Sequence, residues 1–320
     1  MTDPSGGASD RAATTVLPGA QRLLCIGIGG GGDVVGALAA AQLLGRETVL
    51  GGLTWERLPV DPVPGPRRID ELVDAAPLSA TAALVTADTR TATGVRFAES
   101  RIAEHLDAVT VLVDPTPGPA AVADGLAGAA ERLGCDAILM VDVGGDMLAH
   151  GHEETLGSPL ADAVLLAAGA LLARRGIAVA AAVVGAGCDG ELTPDEVAAR
   201  IAEAGEHGGV IADEPLSPAG LDQLEAAVAV VPTEASALAV RCARGERGPV
   251  PIRGGRRTVH CTELGGRVVF LDIEACLAGP ARLATLVLDA TDLDDADRRL
   301  AARGIVSELA WERRQVAAAD

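Results

Sequence analysis

The chain contains no lysine, no tyrosine and no asparagine, and each absence removes a class of chemistry. Without lysine there is no Schiff-base nucleophile, no anchor for pyridoxal phosphate and no P-loop lysine. Without lysine and asparagine a protein-kinase site cannot be assembled, and without tyrosine no Tyr/Lys relay can serve hydride transfer. Two Trp and two Phe are the only aromatic residues among 320, too few for base-stacking platforms. Every one of the 26 cationic side chains is arginine, set against 45 Asp plus Glu for a formal charge of −19. A field of that sign repels polyanions, so neither nucleic acid nor an anionic membrane surface is an expected partner.

The six cysteines are widely spaced with no CxxC pair, which fits free buried thiols in a reducing cytoplasm better than a zinc site or a disulfide scaffold. Residues 1–20 hold no apolar stretch and read as a loose, disordered tail rather than a signal peptide. The longest uncharged apolar runs, near 163–173 and 177–188, fall short of the roughly 18 residues that cross a membrane.

Against these absences stands 49% hydrophobic content, ample for a core. Apolar runs at Leu23–Ile28, Thr48–Leu53, Ala82–Thr86, Val109–Val113, Ala137–Val143 and Ile177–Val184 alternate with helical stretches such as 34–44, 119–133 and 158–175. Strands alternating with helices predict a Rossmann-like, doubly wound and mostly parallel α/β sheet over residues 21–245. Ser158-Pro159, Thr193-Pro194 and Ser217-Pro218 carry the cap-then-proline signature of helix starts. Residues 246–320 read as an α+β extension packed on that core. The pattern there predicts a hairpin of 257–263 and 267–272, a helix near 275–284, a strand near 284–289, a helix over 292–303 and an extended end near 305–312.

Three strand ends run into loops of glycine and carboxylate. The first is Gly27-Ile28-Gly29-Gly30-Gly31-Gly32-Asp33, which satisfies G-x-G-x-x-G ahead of a helix. The acid expected to bind a ribose is missing, because the second strand runs into Gly51-Gly52-Leu53, and Asp33 puts negative charge where a pyrophosphate would sit. The others are Asp142-Val143-Gly144-Gly145-Asp146, followed by His150 and His152, and Gly185-Ala186-Gly187-Cys188-Asp189-Gly190-Glu191. One acidic turn is an ordinary solvated loop. In a parallel sheet, however, strand-to-helix loops emerge together at the carboxyl edge where ligands bind. Asp33, Asp142, Asp146, Asp189 and Glu191 are thus expected around one crevice, where they must take up a proton or a cation.

Asp142, Asp146 and Glu191 are the expected ligands of a divalent cation, Mg²⁺ or Mn²⁺. Asp146, Asp189 and His150 are the expected proton-moving groups, with a hydrogen-bonded structural role as the alternative for His150. Gly29, Gly30, Gly31, Gly32 and Asp33, with Trp55, Glu56 and Arg57 from the loop after the second strand, are the expected substrate-binding residues. Trp55 reads either as an apolar wall of the site or as a half-buried residue beside a surface ion pair. Thr233-Glu234 opens a further helix, chiefly as a cap. Arg253, Arg256 and Arg257 would hold a phosphate or carboxylate, or else pair with the acidic body of the protein.

The strings GIGGGGDVVGA (27–37), GGLTWERLPVDPVPGPR (51–67), VDVGGDMLAHGHE (141–153), GAGCDGELTPDEV (185–197) and VPTEASALAVR (231–241) resemble the family catalogued as domain of unknown function number 1152. The resemblance runs from about residue 20 to the C-terminus. On matching positions it implies importance for Asp33, Glu56, Arg57, Asp142, Asp146, His150, Asp189 and Glu191. His152 falls at a position expected to vary. A more distant similarity links the chain to D-glutamate cyclase domains.

Two functions are therefore in view. One is a metal-assisted lyase, hydrolase or cyclising dehydratase acting on a small, polar, anionic metabolite, in a chain open to homo-oligomer formation. The other is a non-catalytic nucleotide-binding or sensor protein that uses the Gly27–Asp33 loop.

Overall fold

The computed structural model describes residues 12 and 14–319. The chain opens with β1 (Arg22–Gly27), α1 (Asp33–Leu44) and β2 (Glu47–Leu53), a parallel unit whose short connections leave the helix on one face of the sheet. A hairpin, β3 (Leu72–Pro77) and β4 (Ala82–Thr91), precedes α2 (Ala98–Leu106), β5 (Thr110–Val113) and α3 (Pro119–Leu133). Then come β6 (Ala137–Val143), α4 (Pro159–Arg174), β7 (Ala178–Val184), α5 (Pro194–Glu206) and β8 (Val210–Pro215). Helices α6 (Pro218–Val230) and α7 (Glu234–Ala243) lead to a small separate ribbon, β9 (Gly248–Ile252) with β10 (Arg257–Cys261). The chain ends with β11 (Arg267–Leu271), α8 (Ile273–Ala278), α9 (Arg282–Val287), α10 (Leu293–Ala301) and α11 (Glu308–Ala319).

The main sheet has nine strands in the order β3-β4-β5-β2-β1-β6-β7-β11-β8. Its centre, from β5 to β7, is parallel, and β4 and β11 run antiparallel to their neighbours at the two flanks. From β1 the chain winds outward through β2 on one side, and from β6 through β7 on the other. The switch point of the doubly wound sheet therefore lies between β1 and β6, and a crevice opens above their carboxyl ends. This is the Rossmann-like α/β fold that the alternating pattern predicts.

Burial explains the composition. Leu24 and Ile26 of β1 face one core and Leu23 and Cys25 face the other, so the strand reads as a continuous apolar run. All seven residues of β6 are buried. Helix α4 is enclosed by the sheet and by α3, α9, α10 and α11, which accounts for a sequence apolar on almost every side. Thr193 closes a full capping box with Glu196, and the Ser217 hydroxyl accepts from the Gly220 N–H. The Ser158 hydroxyl does not cap α4; it donates to Glu191 instead. Among the described residues no helix is long and apolar enough to cross a membrane. Most of the expected N-terminal tail lies outside the described residues, and Val16 and Leu17 are buried in the α1-side core.

The C-terminal third departs from its pattern in three places. The expected hairpin of 257–263 with 267–272 does not form: β10 pairs with β9, and β11 enters the main sheet between β7 and β8. The physical reason is visible in the two strands. β10 alternates buried Val259 and Cys261 with exposed Thr258 and His260, whereas Val268 through Leu271 of β11 are buried on both faces. The strand expected near 284–289 is helix α9, because packing on α4 overrides the β-branched residues there. The extended end is helix α11, started by the Ser307 hydroxyl accepting from the Ala310 N–H at 3.1 Å. Strands β3 and β8 were not anticipated.

The interior position of β11 has a measurable consequence. Phe270, fully buried at its centre, should cost about 3–5 kcal/mol when replaced by alanine. Urea unfolding of Phe270→Ala is expected to show a lowered midpoint with unchanged slope; wild-type stability would mean that β11 is peripheral.

Candidate active site at the carboxyl edge

The loops after β1, β2, β6 and β7 meet the start of α4 around a cavity of about 260 Å³ over the switch point. Gly29–Asp33, Glu56, Arg57, Asp142, Asp146, Asp189 and Glu191 all line it, so the structure brings together eleven of the thirteen site residues expected from the sequence, all but Trp55 and His150.

The glycine loop is shaped around carboxylates. The N–H groups of Gly29, Gly31 and Gly32 go to Asp33 Oδ2, the Trp55 carbonyl and the Gly30 carbonyl. Asp33, opening α1, thus occupies the position that an incoming anion would take at a helix N-terminus. A Cβ on Gly29 would stand 2.6 Å from Asp33 Oδ2 and 3.2 Å from Asp162 Oδ2, which excludes a side chain there. Gly144, at φ 132°, likewise lets Asp189 close over β6: a Cβ would lie 2.3 Å from its Cγ.

Six carboxylates then crowd the cavity in two sets. One oxygen each of Asp33, Asp142 and Asp162 lie within 4.8 Å of one another, and the same holds for Asp146, Asp189 and Glu191. Burial, then repulsion from neighbouring carboxylates, raises Asp146, Asp162 and Asp189 well above the usual carboxylate range. Burial likewise pushes Asp142 up to about 6, and burial with Asp142 beside it pushes Asp33 to about 8.

Glu191 is different. Burial works against its charge, but it accepts from Ser158 Oγ, from the N–H groups of Gly157 and Ser158, and from Arg253 at 3.2 Å, and it is held below the usual range. Its oxygens are committed to anchoring the loop before α4, which leaves Asp189 with the freer carboxylate of the pair. Asp189 Oδ1 and Asp162 Oδ1 are shut off from solvent with no hydrogen-bond partner.

Two expected residues stand outside. The His150 ring pairs with Glu203 at 2.8 Å and does not line the cavity; burial lowers its pKa despite that partner. This is the structural-histidine alternative. Trp55 is fully buried and donates Nε1–H to Glu312 at 3.1 Å, so it lies in the core behind the site rather than forming its wall. Glu56 reaches the cavity edge, yet its Oε1 accepts from the Ala98 N–H at the start of α2. Arg57 stacks on the Trp55 ring at 4.9 Å and donates to the Gly29 carbonyl.

Four contributors were missed or underweighted. Asp162, 1% exposed, is the one carboxylate within an apolar helix, four residues after Ser158, and that oddity was its signal. Glu308 lies in a segment read as extended; its carboxylate accepts from the N–H groups of Leu160 and Ala161 and sits 3.8 Å from Arg57. Arg253, at the tip of the β9–β10 ribbon, pairs with Glu191 and lines the cavity. Glu234 holds the Arg253 N–H with both oxygens rather than serving only as a cap residue.

Fold and site together define a Rossmann-like α/β protein with a carboxylate-lined cavity at its switch point. Residues 24–316 match the family described as protein of unknown function (DUF1152), and the chain belongs to that family. No curated protein and no solved structure matches it.

The raised carboxyls set the sign of a pH effect. The folded chain keeps protons on Asp142 and Asp33 up to about pH 6 and 8, which the unfolded chain releases near pH 4. Stability without divalent cations must therefore fall as pH rises from about 5 to 8. Asp162→Asn, which removes one repelling charge, is expected to raise the pH 8 melting temperature in EDTA. A flat wild-type profile, or a destabilised variant, would show that the carboxylates do not strain the fold.

Proposed function

We propose that the protein is a metal-assisted enzyme, a lyase, hydrolase or cyclising dehydratase, acting on a small, polar, anionic metabolite in this cavity. The observation that carries the reading is Asp162 Oδ1, a carboxylate oxygen buried at the cavity with no donor to satisfy it. Such an atom is costly unless a cation or a proton sits against it. An all-oxygen donor set suits Mg²⁺ or Mn²⁺. Asp142, Asp146, Asp162 and Asp189 would hold the ion, with Glu191 orienting the loop behind them. The bound cation would polarise a carbonyl, hydroxyl or phosphoryl oxygen of the substrate.

The chain's own groups supply the rest. Asp146 or Asp189, each biased towards its protonated form by its neighbours, would move the proton. Arg57 and Arg253 face the cavity and would orient an anionic group, in a chain with no lysine to do so. His150 has no part in this scheme. The free thiols fit a cytoplasmic setting. The nucleotide-sensor reading is disfavoured because the glycine loop has spent three of its N–H groups and Asp33 fills the anion position.

Thermal shift separates the two readings. Mn²⁺ or Mg²⁺ is expected to raise the melting temperature, whereas ATP and NAD leave it unchanged; the reverse pattern would favour the sensor. Asp146→Ala is expected to stay folded by circular dichroism and to lose most of the cation response.

A further inference from the structure

The chain treats its buried carboxylates in two ways. Where a carboxylate holds the fold, donors surround it: Glu153 takes the N–H groups of His150, Gly151 and His152, and Glu308 takes those of Leu160 and Ala161. In the cavity the donors run short, and not in one place only. Asp162 Oδ1 is unpartnered in the set Asp33, Asp142 and Asp162, and Asp189 Oδ1 is unpartnered in the set Asp146, Asp189 and Glu191. Each set has its own orphaned oxygen. The side chain bearing the first is 1% exposed and lines the cavity, so bulk water does not satisfy it.

Resting on the reading that the cavity takes a divalent cation, we propose that it takes two, one held by Asp33, Asp142 and Asp162 and the other by Asp146 and Asp189, with Glu191 fixing the loop beside them. The two sets line the same cavity, Asp142 belonging to the first and Asp146 to the second. Those two residues flank the Gly144-Gly145 turn at the end of β6, so one strand end serves both positions. Two ions so held would supply charge stabilisation for hydrolysis of a small oxyanion-bearing substrate, with Arg57 and Arg253 facing its charge.

Mn²⁺ binding to the full chain tests this, read by isothermal titration for stoichiometry and by low-temperature electron paramagnetic resonance for coupling between ions. Two Mn²⁺ per chain with an exchange-coupled spectrum are expected, and one per chain, uncoupled, in both Asp162→Asn and Asp189→Asn. One uncoupled Mn²⁺ in the wild type overturns the pair but leaves the cation-dependent enzyme standing. No binding at all overturns both. Two ions retained in a folded Asp162→Asn variant would overturn the assignment of the first position. If either variant fails to fold, the wild-type stoichiometry and coupling decide the matter alone.

Discussion

Negative charge confined where water is scarce governs this molecule. Carboxylates on the ends of β1, β6 and β7 and on the first turn of α4 are packed close enough that they cannot all ionise without a counter-charge. The sheet enforces the crowding, because parallel strands deliver their loops to one edge and the switch point between β1 and β6 draws two of them together. The glycines permit it by leaving room where side chains would collide with Asp33 and Asp189. Without a rigid frame these groups would swing apart into solvent.

Much of the rest is a supporting shell. Glu191 ties the loop before α4 to the β7 loop and to Arg253. Glu308 and Glu312, one turn apart on α11, cap α4 and hold Trp55, with Glu312 also accepting from the Gly65 N–H at 2.8 Å. The last helix is thus part of the site's foundation, although it contributes no residue to the cavity lining. Strand β11 plays the same part from the other flank, since its antiparallel insertion closes the sheet beside β7 and steadies the Asp189 loop.

The parallel core was legible because its signals are local: apolar strand runs, proline-marked helix starts, and glycine-carboxylate loops in the right order. The convergence of Asp33, Asp142, Asp146, Asp189 and Glu191 followed from topology alone. What sequence could not supply was partner choice. Nothing near Arg267 says that β11 will cross to the main sheet rather than pair with β10, because sheet pairing is decided by which faces are buried. His150 looked available until Glu203, on α5, took its ring. Asp162 was readable as the lone carboxylate in an apolar helix. Glu308 was not, because its role depends on a helix that local pattern misread.

The most direct measurement is a crystal structure grown with Mn²⁺ and phased for anomalous scattering. Anomalous density is expected inside the cavity, bounded by Asp142, Asp146, Asp162 and Asp189. Carboxylates turned out into bulk solvent, each serving only its own helix, with no anomalous density between them, would contradict a cation-dependent site at this edge of the sheet.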